Sequence, residues 1–209
     1  TYGGVSGEVG SAWDTLGSSW AYRSGSGIHG NTDLTILTWM RLNSTTGNQW
    51  IADSGNAADG GFQILTLAGT STARIRVDDS GANLGVADTA ANALGTSGWN
   101  QLATRVDKSA NEDHYLNNAA SGSTVDVSGF GDISATQDYN IAAATSAGPS
   151  PVDALMGLHS IHSVVRADDW LDEFDALRDQ SAFWGTWAWT ATAVANSWYY
   201  RQQIQAVCS

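Results

Sequence analysis

The chain has 209 residues, 42% of them hydrophobic and only 14% charged, with 23 Gly, 2 Pro and 10 Trp. Neutral polar residues must therefore carry the surface, and many tight turns between aromatic-bearing strands fit this mix better than a helical bundle. The net charge of −12, with Lys108 the only lysine, excludes a general nucleic-acid binder and a partner of anionic membrane surfaces, because both need clustered basic side chains.

Residues 1–17 read as an extended, flexible arm of small residues with Tyr2 and Trp13 as its aromatics. Residues 1–10 lack the basic and apolar regions of a signal peptide. Strand patterns begin at 32–42 (TDLTILTWMRL), where Leu34, Ile36, Thr38 and Met40 share one face and Thr35, Leu37, Trp39 and Arg41 the other. Bulk on both faces places this strand inside a sandwich. Segments 49–52, 61–67 (GFQILTL) and 73–77 (ARIRV) follow, separated by the turns DSGNAADGG, AGTST and DDSGAN. In the last of these strands, Ile75 and Val77 alternate with Arg74 and Arg76, the pattern of a strand with one wet face.

Further along, 98–106 (GWNQLATRV) alternates again, and 114–116 with 123–127 are predicted as arms of a hairpin turning at Asn117–Asn118. Strand 139–143, a Gly/Pro/Ser loop at 146–151 and strand 155–165 (LMGLHSIHSVV) come next. Recurring strands with turns between them predict an all-β, antiparallel two-sheet sandwich. A short helix is predicted near 168–178, opened by Asp168 and Asp169 and carrying Trp170, Leu171, Phe174 and Leu177. Beyond it, Trp184, Trp187, Ala191, Val194 and Trp198 fall 3, 4, 3 and 4 residues apart, which makes an aromatic helical stripe. It reads either as packing on its own sandwich or as a homo-oligomer or scaffold interface through Trp184, Trp187, Val194 and Trp198. No segment is apolar for long enough to span a membrane, and the lone Cys208 allows no internal disulfide.

Three stretches resemble the concanavalin A-like lectin/glucanase superfamily, in its laminin-G-like jelly-roll branch: DLTILTWMRL at 33–42, GTSGWNQLATRVDKSANEDHYLNN at 95–118 and LMGLHSIHSVVRADDWLDEFDAL at 155–177. The resemblance spans about 18–180, which implies a jelly roll there, an amino-terminal arm at 1–17 and an aromatic appendage at 181–209. The chain departs from that branch in two places. Asn117–Asn118 replaces its Asp-Gly turn, and Leu158, His159 and Ser160 stand where it often carries an acidic pair.

A glycosidase of the related glucanase type needs two carboxylates facing each other across a glycosidic bond, at about 5–5.5 Å in retaining enzymes. The chain has three Glu: Glu8 in the arm, Glu112 in a polar turn and Glu173 in the short helix, none in a paired-carboxylate strand pattern. His159 and His162 are expected on opposite faces of their strand, so a shared metal is disfavoured. The loop residues Asp53, Asn56 and Asp59, and then Asp78, Asp79 and Asn83, read either as Ca²⁺ ligands or as Asx turns that satisfy their own backbone. Trp50 and Tyr115 read either as sugar-stacking platforms or as interior packing. The ligand-binding candidates are thus Trp50, Asp53, Asn56, Asp59, Asp78, Asp79 and Asn83, with a glycan or the subunits of a larger assembly as partner. The resemblance implies a non-catalytic, surface-exposed module, as a tailed-virus decoration or attachment protein or as a secreted or cell-surface lectin.

Overall fold

A computed structural model describes residues 4–6, 11–15, 21–23, 29–55, 60–81, 83–134, 137–144 and 152–176. The short strands β1 (Gly4–Ser6), β2 (Ser11–Asp14) and β3 (Ala21–Arg23) come first. Then follow β4 (Leu34–Leu42), β5 (Gln49–Asp53), β6 (Gly61–Thr66), β7 (Ala73–Asp78), β8 (Leu84–Asp88) and β9 (Asn100–Val106). The last elements are β10 (Asn111–Leu116), β11 (Ala119–Ala120), β12 (Val125–Asp126), β13 (Tyr139–Ile141), β14 (Ala154–His162) and the helix α1 (Asp168–Ala176).

The strands form two antiparallel sheets, as the alternation predicts. One runs β1-β2-β14-β4-β9-β10-β11 with β12 also on β10, and the other runs β3-β13-β5-β6-β7-β8. The fold is an all-β, jelly-roll-like sandwich with one short helix among the described residues. Its core lies between the sheets, where Leu34, Ile36, Met40 and Leu42 of β4 meet Ile51 and Ala52 of β5, Phe62 and Ile64 of β6, and Ile75 and Val77 of β7. The opposite face of β4 is also covered. Leu37, with Ala103 of β9, packs under Leu171 of α1, and Tyr115, Leu158 and Trp170 surround them. That second cluster explains why β4 is bulky on both sides.

Several local outcomes differ from the sequence reading. Residues of the expected arm supply β1 and β2, and β2 pairs with β14 through Leu155 opposite Asp14 and Met156 opposite Trp13. Thr15 extends this pairing, its N–H donating to the Ala154 carbonyl at 3.0 Å, so the edge of β14 is not left open. The hairpin does turn at Asn117 and Asn118, at φ 49° and 61°, but its near arm is Ala119–Ala120, while Val125 pairs farther back with Glu112. Asn accommodates these left-handed angles better than most residues. Glu112 is not in a polar turn. The Asp107–Ala110 turn closes before β10 begins, and Glu112 pairs with Val106 inside β10, fully buried. β8 is an additional strand where the sequence shows only loop punctuation. The appendage with Trp184, Trp187, Val194 and Trp198, and the loop residues Asn56 and Asp59, lie outside the described residues.

Candidate functional site

The outer faces of the two sheets are unequal. α1 covers part of one, whereas the other carries a groove of about 390 Å³ across β5, β6, β7 and β8. A bulge in β5 sets its composition. Trp50 pairs with Leu65 and Asp53 with Gln63, yet both Ile51 and Ala52 lie between them on β5 against Ile64 alone on β6. Ile51 and Ala52 both enter the core, so the bulge returns Trp50 and Asp53 to the outer face. One cross-strand row there reads Trp50, Leu65, Arg74 and Asp88, and the next reads Asp53, Gln63, Arg76 and Val86.

Trp50, Asn48, Arg74 and Arg76 line the groove together with Leu65, Leu67, Leu84 and Val86. Leu84 and Val86, on the edge strand, are 46% and 38% exposed. The Asn48 carboxamide oxygen accepts from the Ala68 N–H at 2.8 Å, which ties the start of β5 to the end of β6. The two arginines differ. Arg74 grips Asp88 with Nε at 2.8 Å and Nη2 at 2.9 Å, a bidentate pair that raises the arginine pKa and lowers that of Asp88. Arg76 makes no hydrogen bond or close ion pair among the described residues; the carboxyl group that senses it is Asp78, two residues along the same face. No carboxylate lines the groove.

Of the acids expected on loops, Asp53 instead ends β5 and Asp78 ends β7. Asp78 is buried with neither oxygen hydrogen-bonded among the described residues, whereas Asp79 and Asp53 are engaged internally. Asp79 is buried, and its oxygens accept from the N–H groups of Gly81 (2.9 Å), Asn83 (2.8 Å) and Gly131 (2.8 Å) and from the Asn83 carboxamide (2.6 Å). Burial pushes its pKa up, but these hydrogen bonds outweigh burial and bring it down to about 2. Asp53 accepts from the Gly55 N–H at 2.9 Å and the Gln63 carboxamide at 3.3 Å. Both are Asx-type closures of their own turns. Among the described residues no group of three or more His, Cys, Asp or Glu is placed to hold a metal ion. Tyr115 lies away from the groove, on the face beneath α1, with the Arg105 guanidinium 4.0 Å above its ring.

Sequence patterns do not reveal a buried polar seam between the sheets. Glu112 has no hydrogen-bond partner for either oxygen and lies 3.5 Å from His114 Nε2. It fits because β8 has glycine opposite it: a Cβ on Gly85 would sit 3.1 Å from Glu112 Oε2. Burial, helped by the Asp113 and Asp78 carboxylates, pushes the Glu112 pKa up to about 8, and burial lowers that of His114 to about 4. An acid and an imidazole that are both neutral form a structural pair, with no groove residue among them. His29 Nε2 lies 3.2 Å from Ser54 Oγ, but that hydroxyl also accepts from the Phe62 N–H and both residues are buried, so the contact braces a turn. His159 and His162 do face opposite ways. The first stacks on Tyr139 in the interior, and the second meets Trp170 edge-on at 4.8 Å.

No protein-family profile and no curated protein matches the sequence. Solved structures do match the fold. The binding domain of Paraclostridial Mosquitocidal Protein 1 superposes with a TM-score of 0.66 at 12% identity, covering 83% of this chain and 45% of that one. A botulinum neurotoxin serotype D ligand-binding domain in complex with N-acetylneuraminic acid gives 0.56 at 10% identity, over 79% of this chain and 46% of that one. The binding domain of botulinum neurotoxin DC in complex with rat synaptotagmin II gives 0.57 at 15% identity, over 71% and 36%. The chain spans less than half the length of each, and the likeness is one of fold.

Proposed function

We propose that the chain is a non-catalytic, glycan-binding module that uses the outer face of β5–β8, with Trp50 as its stacking platform. The observation that carries this reading is the groove itself: an aromatic ring, aliphatic walls and a few fixed polar groups are what a sugar ring needs, with its apolar C–H face and its hydroxyl rim. A lining without carboxylates supports binding rather than glycoside cleavage. The fold neighbours support it too, since all three are binding domains by name and one was solved with a sialic acid. In this reading the module works outside the cell, as part of a virion surface or as a secreted lectin. It is laminin-G-like over 18–180, and its aromatic segment 181–209 ties it to another subunit. Among the described residues no helix is long and apolar enough to cross a membrane.

The test is a glycan panel with the full chain and with Trp50→Ala. Binding that falls on the order of tenfold or more in the variant, at an unchanged melting temperature, is the expected result. Binding that ignores the substitution would move the site elsewhere, and no binding to any glycan would end the reading.

A further inference from the structure

We infer that the groove on β5–β8 selects acidic sugars, with the Arg76 guanidinium receiving a carboxylate of the glycan; this rests on the glycan-binding reading above. The chain carries a net charge of −12, yet the residues lining the groove include two guanidinium groups and no acid. Arg74 is already matched by Asp88 in a two-pronged pair. The Arg76 guanidinium keeps its planar fork without a hydrogen-bonded partner among the described residues, and that fork matches the two oxygens of a carboxylate. Its cross-strand neighbours, Gln63 and Val86, are uncharged, and the nearby acids, Asp53 at the end of the row and Asp78 two residues along β7, are buried and outside the groove lining.

Trp50 and Arg76 sit in adjacent rows of the same face, on strands separated only by β6. A pyranose stacked on the indole therefore directs a ring substituent toward the guanidinium. The volume of about 390 Å³ lies at the low end of the roughly 300–1,000 Å³ typical of ligand sites, which suits a short oligosaccharide. An acidic peptide fits less well. Peptides that join a sheet lie along an open edge and pair with its main chain, whereas this groove runs across four strands.

The experiment is calorimetric titration of the full chain with oligogalacturonate, 3′-sialyllactose, lactose, a neutral oligosaccharide of matched length and a poly-glutamate peptide. One or both acidic sugars should bind on the order of tenfold more tightly than their neutral counterparts, with the margin shrinking in about 1 M salt, where charges are screened within about 3 Å. The two acidic probes separate a uronate from a sialate source. Arg76→Gln should erase the margin, bringing acidic and neutral sugars to the same affinity, and Arg76→Lys should recover only part of it. Equal affinity for acidic and neutral sugars would overturn the acidic-sugar assignment and leave the glycan-binding reading standing. No binding of the wild-type chain to any of the sugars would overturn both. Peptide binding as tight as sugar binding, or a margin unmoved in Arg76→Gln, would overturn the assignment as well.

Discussion

Asp79 shows how one carboxylate organises two distant loops. Four donors converge on it, three from its own turn and one from Gly131. Asp79→Ala removes the acceptor of all four, and because the donors sit on exposed residues that water can reach, the predicted loss is about 1–2 kcal/mol in urea unfolding at pH 7. Because its folded pKa lies below the ordinary carboxylate value, the stabilisation is present above about pH 4 and drains away as pH falls toward 2. The wild-type chain should therefore lose more stability than Asp79→Ala between pH 5 and pH 2.5, and equal losses would show that Asp79 does not hold the loops. The turn at DDSGAN was legible because Asp, Ser, Gly and Asn are turn formers, but the Gly131 partner was not, since no local pattern reports a contact so far along the chain. Trp50 was singled out for its chemistry alone. Strict alternation would put it on the same face as Ala52, and only the β5 bulge, invisible in a five-residue strand, separates the two.

At the scale of elements, local spacing marks a helix or strand but not the surface it packs against. The spacing of Trp170, Leu171 and Phe174 announced α1, but not the sheet it covers. Leu171 is fully buried against Leu37 and Ala103, and the Gln101 carboxamide donates to its carbonyl at 3.1 Å. Leu171→Ala should cost about 2–5 kcal/mol in global stability, or else free α1 alone. Hydrogen exchange of the helix amides distinguishes the two, and unchanged protection together with unchanged stability would contradict the packing. β8 escaped detection because its pattern is inverted: the small residues Gly85 and Ala87 face inward while Leu84 and Val86 face outward. Inward glycine makes room for Glu112, and outward aliphatics wall the groove. A similar constraint holds the segment after β11 against β8, where the Ser123 N–H donates to the Asp88 carbonyl. Gly122 has φ +88°, and a Cβ there would lie 1.9 Å from the Asp88 carbonyl oxygen, so Gly122→Ala should lower the melting temperature by several degrees or prevent folding.

Across the whole molecule, the two sheets meet at Glu112 and His114, and their protonation links global stability to pH. Glu112 keeps its proton when folded and loses it when unfolded between roughly pH 4.5 and pH 8, so stability falls as pH climbs through that window. His114 acts on the acidic side, where its lowered pKa removes stability as pH drops below about 6.5 toward 4. Glu112→Gln keeps the shape without the titration. It should match the wild type near pH 5 and exceed it at pH 9, by a margin on the order of a few kcal/mol. Parallel stability curves for the two proteins would show that Glu112 is not held neutral. The two-sheet architecture was visible in the alternation, whereas this seam was not, because Glu112 reads as solvent-facing until its strand is paired. The placement of α1 has a further consequence for display. α1, whose last described residue is Ala176, lies on the back of the sandwich, the side away from Trp50 and Arg76. With the helix mounted behind, as the fixings of a sign are, the front sheet is left uncovered and its groove stays clear.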